Sequence, residues 1–284
     1  MPTTWQCLRA TLPREALDTL GLEERPADGA APVVRQPWDT GPAPEPPARV
    51  EVLAFFELDG KEKEDARVST LRRHFAGIPG LDLEDERLSE GDWVERWRTE
   101  FRPFEVAPGV MIAPPWDAPP GAMIVDPGMA FGTGEHPTTR ACLRAIHRRA
   151  RAGASLLDVG CGSGILALLG AFLGMRAEGV DVDPTAVRAA HENAERNGLR
   201  VPFDTRPVSA LRGPYDLVAA NLFAEEIARV ATDLRRLCGG ALVVAGILLD
   251  RESQVIDALG ADGVLRLVSR QVEGEWVSLE WERA

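Results

Sequence analysis

The sequence predicts an α/β chain in two parts. A large C-terminal domain has a mostly parallel, Rossmann-like sheet with an antiparallel C-terminal hairpin, and a small N-terminal domain is α+β, of ferredoxin-like type. Three observations carry this expectation. From Met123 onward, short apolar strands alternate with helical patterns, as in successive βαβ units. The last two strand patterns, Val264 to Val272 and Glu275 to Trp281, meet at Glu273-Gly274 as a hairpin does, which adds an antiparallel edge to a parallel sheet. Residues 1–90 instead read β-α-β-β-α-β.

The N-terminal elements follow in order. Trp5 to Thr11 is strand-like. Arg14 to Leu20 reads as a short helix closed by Gly21. Ala31 to Arg35 is a weak strand, and Val50 to Leu58, with Phe55 and Phe56, a stronger one. Asp65 to Phe75 is helical, with Leu71 and Phe75 four apart on one face. Leu81 to Leu88 alternates apolar and polar residues, as a half-buried strand does. Pro32, Pro37, Pro42, Pro44, Pro46 and Pro47 crowd an insert over 32–47 that is expected to hold neither helix nor sheet and to serve as a surface spacer.

Residues 91–121 form the expected connection. Trp93, Trp97 and Phe101 recur every fourth residue and give an aromatic stripe on one helix face. Core packing explains such a stripe better than recognition does. Pro103, Pro108, Pro114, Pro115, Pro119 and Pro120 then allow only irregular or short β structure.

Residues 122–284 make the larger domain. Its expected strands are Leu156 to Val159, Glu178 to Val182, Tyr215 to Ala220 and Ala241 to Ala245, followed by the terminal hairpin. Asp183 suits an N-cap and Pro184 the first helical position, in a helix running to Asn197 and stopped by Gly198. Gly239-Gly240 reads as the terminator of a helix from Ala224 to Leu237.

The chain has 284 residues, 45% hydrophobic and 27% charged, enough for a large core plus a smaller one. Its net charge of -12 and pI of about 4.9 argue against a nucleic-acid groove, which needs a basic stripe. An acidic surface suits a basic partner, and equally suits simple solvation. Cys7, Cys142, Cys161 and Cys238 form no C-x-x-C pair, and none lies at ligand spacing from a histidine, so no metal is expected. Cys142 and Cys238 fall in helical patterns as core residues. The N-terminus lacks the basic start and apolar run of a signal peptide, and no apolar run is long enough for a bilayer. A reduced, cytoplasmic monomer that does not bind a membrane is the expectation.

The chemistry concentrates at Leu156-Leu157-Asp158-Val159-Gly160-Cys161-Gly162-Ser163-Gly164. An apolar strand enters a turn whose alternate glycines leave bare backbone for a ligand. About twenty residues on, Gly179-Val180-Asp181-Val182-Asp183-Pro184 places a carboxylate at the tip of the next strand, where ribose hydroxyls are read. Asp183 supplies the helix cap, which leaves Asp181 for a ligand. Dinucleotide enzymes space their glycines G-x-G-x-x-G around a pyrophosphate. Here Gly160, Gly162 and Gly164 are spaced G-x-G-x-G, with Asp158 two residues before them. That turn needs no phosphate and leaves room for an aminoacyl tail, whose amino group Asp158 would meet directly or through water. In this respect Asp158 to Gly164 resembles the first motif of class I S-adenosylmethionine methyltransferases.

A second segment sharpens the resemblance: Asp126-Pro127-Gly128-Met129-Ala130-Phe131-Gly132-Thr133-Gly134-Glu135-His136-Pro137-Thr138-Thr139-Arg140. With Asp158 to Leu166, Gly179 to Pro184, Glu192 to Gly198, Ala220-Asn221-Leu222 and Gly246-Ile247-Leu248, it resembles the PrmA-type methyltransferases, which modify large-subunit ribosomal protein eleven. The likeness is close from Asp92 to the C-terminus and mainly architectural before it. The chain departs from the family's pattern at Glu135 and in the Pro-rich insert.

The resemblance implies a class I S-adenosylmethionine-dependent protein N-methyltransferase acting on lysine and N-terminal α-amino groups of that ribosomal protein. It implies S-adenosylmethionine as cofactor and cofactor contacts at Thr139, Gly160, Asp181 and Asn221. The N-terminal domain would be the substrate grip. Asp158 and Gly162 join the cofactor contacts from the turn itself, and Phe131 either covers the cofactor or anchors its loop. Asn221 lies at the carboxyl end of a parallel strand, where open α/β sheets place ligands, and would orient the attacking amine. His136 is a candidate base, weighed against a role in positioning the loop. Asn221-Leu222-Phe223-Ala224 differs from the Asn-Pro-Pro-Tyr of glutamine-modifying relatives. The alternatives are a class I methyltransferase acting on another protein or a small amine, a nicotinamide-dependent oxidoreductase, and a non-catalytic S-adenosylmethionine-binding module.

Overall fold

The computed structural model describes residues 4–13, 32–35, 49–57, 82–89, 102–126, 134 and 136–284. The chain divides into two compact units, residues 1–100 and 101–284. Strands β1 (Thr4–Pro13), β2 (Pro32–Arg35), β3 (Arg49–Glu57) and β4 (Asp82–Ser89) belong to the first unit. They form one sheet in the order β2-β3-β1-β4 with every neighbour antiparallel. That order puts β3 between the two strands of a split βαβ unit, as the ferredoxin-like reading requires. The helices expected at Arg14 to Leu20 and Asp65 to Phe75 lie outside the described residues, as does the aromatic stripe of Trp93, Trp97 and Phe101. The expected Pro-rich loop begins later than the sequence reading placed it, because Pro32 to Arg35 pair with β3. Pro32 is tolerated there because it opens an edge strand, where a missing N–H costs no ladder bond.

The second unit opens with a small sheet of β5 (Phe104–Ala107), β6 (Val110–Ala113) and β7 (Met123–Ile124). The strands are short because prolines at 103, 108, 114, 115, 119 and 120 bound them. Helix α1 (Pro137–Arg149) follows, then β8 (Ser155–Val159), α2 (Ile165–Phe172), β9 (Arg176–Val180) and α3 (Pro184–Arg196). The chain continues through β10 (Phe203–Asp204), β11 (Tyr215–Asn221), α4 (Ala224–Leu237), β12 (Cys238–Leu248) and α5 (Glu252–Gly260), and closes with β13 (Leu265–Glu273) and β14 (Trp276–Arg283).

Seven of these strands form one sheet in the order β10-β9-β8-β11-β12-β14-β13. All pairs are parallel except those made by β14, which runs antiparallel to β12 and β13. The central strands β8, β11 and β12 are buried on both faces. Leu156, Leu217, Ala219 and Val243 pack toward α1 and α2, while Leu157, Val159, Val218, Leu242 and Val244 pack toward α4 and α5. This two-sided burial explains why the strands read as continuous apolar runs rather than alternating ones.

Helix α4 has the bounds expected of it, Ala224–Leu237, and Gly239 and Gly240 then have a second role inside β12. Helix α4 ends at Leu237, and β12 begins at once with Cys238. A Cβ on Gly240 would stand 2.5 Å from the Asp216 carbonyl oxygen, and one on Gly239 2.8 Å from Pro214. The two glycines let β12 start flush against β11. The order of strands reverses between β8 and β11: the chain first moves outward to β9 and β10, then returns to the other side of β8. The carboxyl ends of β8 and β11 therefore flank a topological switch point, where open α/β sheets form a ligand crevice.

Candidate active site

The glycine turn sits at this switch point. Gly160 and Cys161 both donate backbone N–H bonds to the Val180 carbonyl, at 2.8 and 3.0 Å, fixing the end of β8 against the tip of β9. Gly160 has φ 72°, and a Cβ there would lie 2.3 Å from Leu222 Cδ2. The turn thus passes directly under the residue that follows β11, and only glycine meets both conditions without strain. The Gly162 N–H donates to Asp181 Oδ2 at 2.9 Å. Gly164 N donates to Cys161 O at 2.7 Å, and α2 starts at the next residue.

Asp181 is less free than the sequence suggested. Besides the Gly162 bond, its Oδ1 accepts from Asp183 N at 3.0 Å. A carboxylate has about four acceptor positions, so two backbone bonds orient the group and leave outward lone pairs. Asp183 does cap α3, accepting from Thr185 N at 2.8 Å with Pro184 in the first turn.

Asp158 stands differently from its expected role. Its side chain is 0% exposed, and Oδ2 accepts from Ala167 N at 3.2 Å. Ala167 is the third residue of α2, whose N-cap Gly164 has no side chain to offer. Asp158 therefore caps α2 from beneath the turn. Direct contact with an amino group in the open crevice does not fit this burial. Among the described residues no donor meets the buried Oδ1. Burial is the main cause that raises the carboxyl pKa to about 7; the Ala167 bond lowers it and the Asp181 charge raises it further.

Thr139 is buried in the first turn of α1, and Asn221 is the last residue of β11. Asn221 Nδ2 donates to Thr139 Oγ1 at 3.1 Å. His136 is the N-cap of α1, its Nδ1 2.7 Å from Thr138 Oγ1 and 3.4 Å from Thr138 N. Its ring meets Trp276 edge-on, with centroids 5.0 Å apart. Burial lowers its pKa to about 4. A group so weakly basic is a poor proton acceptor at neutral pH, and its geometry is that of a helix cap. Phe131 lies outside the described residues.

The sequence reading missed Asn193 as a site residue. It is buried on the apolar face of α3 with Ala190 and Ala194. Its Nδ2 donates to Ser163 O at 3.0 Å, inside the glycine turn, and its Oδ1 accepts from Asp126 N at 2.9 Å. One turn on, Asn197 Oδ1 accepts from Ile124 N at 2.7 Å, and Arg196 pairs with Asp126 at 3.0 Å. Helix α3 thereby ties the glycine turn to the strand end that precedes residues 127–135. The one signal in the sequence was an asparagine within an apolar stripe, where a buried amide must find partners.

Gly160, Gly162, Asp158, Asp181, Thr139 and Asn221 thus converge on the carboxyl ends of three adjacent strands. Among the described residues no cluster of three or more His, Cys, Asp or Glu is arranged to hold a metal ion. No helix among them is long and apolar enough to cross a membrane.

A family model described as ribosomal protein L11 methyltransferase (PrmA) matches residues 23–284. The chain belongs to this family. Proteins named ribosomal protein L11 methyltransferase are similar across most of its length. The one from Geobacter sulfurreducens is 44% identical over 259 residues, covering 80% of this chain and 85% of its own. The one from Syntrophotalea carbinolica is 35% identical over 298 residues, covering 97% of each. A crystal structure described as ribosomal protein L11 methylase from Lactobacillus delbrueckii subsp. bulgaricus superposes with a TM-score of 0.59 at 27% identity, covering 64% of this chain and 98% of that one. Membership of the PrmA family makes the chain an S-adenosylmethionine-dependent methyltransferase of the class I fold, and sets aside the nicotinamide oxidoreductase reading.

The site's own chemistry fits that cofactor. The Asp181 carboxylate, oriented by two backbone N–H groups at the tip of β9, is an acceptor suited to ribose hydroxyls.

Proposed function

We propose that this protein methylates lysine ε-amino and N-terminal α-amino groups of ribosomal protein L11. The observation that carries the reading is the PrmA family match over residues 23–284, joined to the glycine turn and the Asp181 carboxylate held together at the sheet's switch point. The names of the relatives support the protein substrate. The net charge of -12 favours encounter with a basic ribosomal protein. Residues 1–90 act as the substrate grip, 91–121 as the connection and 122–284 as the catalytic domain.

The residues divide the work. Gly160 and Gly162 give the backbone floor on which the cofactor lies. Asp181, already held by Gly162 and Asp183, accepts from the ribose hydroxyls. Asp158 holds the turn and α2 together and reaches the cofactor's amino group only through an intervening water. Thr139 and Asn221 border the cofactor site at the start of α1 and the end of β11. The cofactor supplies an electrophilic methyl group on a sulfonium. The attacking amine must be neutral and in line with it, and a lysine with a reference pKa of about 10.4 must first lose a proton. Acceptors at the tip of β11, namely Asn221 Oδ1 and nearby backbone carbonyls, bind the amine's remaining hydrogens and aim its lone pair. The reaction is cytoplasmic and needs no nucleic acid.

The test is transfer of a labelled methyl group from S-adenosylmethionine to unmodified large-subunit proteins, read by mass. Label on lysines and the N-terminus of L11 is the expected result. Label on another protein or on a small amine overturns the substrate. Tight cofactor binding with no transfer to any acceptor means a binding module and overturns the enzyme.

A further inference from the structure

We propose that Phe223 and Leu249, with Glu225 and Asp250 beside them, form a docking rim for the segment of the protein substrate that carries the acceptor amine. The proposal deepens the reading above and rests on it: it assigns the surface that holds the chain around the amine.

The fold gains little from either apolar side chain. Phe223 is 62% exposed and Leu249 45%, whereas Ala224, next to the first, and Ile247, two residues before the second, are buried. Phe223 also occupies the N-cap of α4, where its ring bonds no backbone N–H. Ser, Thr, Asp or Asn at that position would bond one and stabilise the helix. A large ring shown to water where a small polar residue fits breaks a local rule with no gain in packing, and such breaks concentrate at functional surfaces. Its backbone is nonetheless fixed, because Phe223 N donates to Glu226 Oε2 at 3.2 Å. Leu249 is held as firmly: it opens the 3-10 turn Leu249–Arg251 after β12, and its N–H donates to Glu275 O at 3.0 Å.

The two residues share one rim. Leu222 N donates to Ala245 O at 3.0 Å, so the ends of β11 and β12 run side by side. Arg251 Nε lies 4.0 Å from Glu225 Oε1 and 3.5 Å from Asp250 Oδ2, which joins the first turn of α4 to the turn after β12. This rim is on the β11–β12 side of the switch point, away from Asp181 at the tip of β9. Isolated exposed apolar residues are ordinary; a fixed pair at adjacent strand ends, beside the crevice, makes a contact surface.

Charge identifies the occupant. Glu225, Asp250 and Glu275 are exposed around the pair, with Arg251 between the first two. Glu252 is matched by Arg270 at 2.7 Å, and Arg229 lies one turn deeper in α4. The rim is therefore acidic. A methyl acceptor arrives as a cation, because lysine and terminal amines hold a proton at neutral pH. The segment that fits is basic and carries an apolar side chain close to the amine.

The test uses the full-length protein as Phe223→Ser, Leu249→Gln, the Phe223→Ser/Leu249→Gln pair and Glu225→Gln/Asp250→Asn. KM and kcat on L11 at low and high salt, S-adenosylhomocysteine affinity by calorimetry and the melting midpoint are measured for each. Serine caps a helix better than phenylalanine, so Phe223→Ser should melt no lower than the wild type. Its KM should rise about fivefold and that of the apolar pair about twentyfold, the scale of the apolar area removed from water. In both, kcat and S-adenosylhomocysteine affinity should stay within about twofold. The KM of Glu225→Gln/Asp250→Asn should depend less on salt than that of the wild type. An unchanged KM in the apolar pair, an equal loss of S-adenosylhomocysteine affinity, or a lowered melting midpoint in Phe223→Ser would each overturn the docking rim. A salt dependence that survives loss of both acids would overturn the basic occupant. If the wild type methylates no amine of L11, the proposed function fails and the occupant with it; wild-type turnover with unaltered KM in the variants refutes the rim alone.

Discussion

Replacing Asp158 by asparagine should make the cofactor-free protein less sensitive to alkaline pH. Asp158 is fully buried, and its pKa rises from an ordinary 3.8 to about 7. Between those values the folded state holds a proton that the unfolded chain has released. Stability from this group is therefore complete below pH 4, falls as pH rises, and is gone above pH 7. The gap of about three units corresponds to about 4 kcal/mol in all. The pI of about 4.9 restricts measurement to higher pH. From pH 5.5 to 8.5 the wild type should lose about 2 kcal/mol relative to Asp158→Asn. Asparagine cannot ionise and still offers an oxygen to Ala167 N. Its amide hydrogens are buried without a partner, which lowers both curves' separation equally at every pH and leaves the slope intact. Urea unfolding of both proteins at pH 5.5, 7 and 8.5, after removal of bound nucleoside, gives the difference directly. A wild-type advantage over the variant that is independent of pH, or one that grows as pH rises, would refute the burial of an ionisable carboxyl as the origin of the effect.

Other substitutions probe the rest of the crevice. Gly160→Ala should cost about 1–2 kcal/mol through its left-handed φ and weaken S-adenosylhomocysteine binding in calorimetry; Leu222 Cδ2 is the end of a flexible side chain and can yield, so the backbone strain dominates. Asn193→Leu removes the partners of Ser163 O and Asp126 N and should cost about 2–3 kcal/mol in urea unfolding, with a parallel loss of cofactor affinity because the glycine turn loosens. His136→Ala should cost about 1 kcal/mol as a lost cap. The folded pKa of about 4 lies below the ordinary 6.5, so the wild-type contribution is complete above pH 6.5 and lost as pH falls, and the gap between the two proteins should be largest above pH 7. The kcat–pH profile should show no inflection from His136 between pH 6 and 8.

The sheet was legible because its central strands are buried on both faces. Leu156 to Val159 and Tyr215 to Ala220 are apolar runs that no other element explains, and they fall within β8 and β11. The Asp183 cap was equally readable, since capping chemistry is local. What stayed hidden depends on distances between segments remote in sequence. Gly239-Gly240 reads rightly as the end of a helix, but its close approach to β11 shows only when the Asp216 carbonyl is found 2.5 Å from where a Cβ on Gly240 would be. The bond by which Asp158 caps α2 is hidden until that helix folds over it and brings Ala167 N to its carboxylate. Asp181 seemed free because its bond to Gly162 spans 19 residues. Asn193 could not be singled out, because its partners at 126 and 163 come from two separate segments. The two-residue strand β10 is too short to carry a pattern of its own.

The most direct measurement is calorimetric binding of S-adenosylmethionine to the wild type and to Asp181→Ala. One molecule per chain with at least a tenfold loss in the variant, on the scale of one or two hydrogen bonds to a charged group, is the expected result. Equal affinity in both proteins would place the cofactor away from the tips of β8 and β9 and contradict the account.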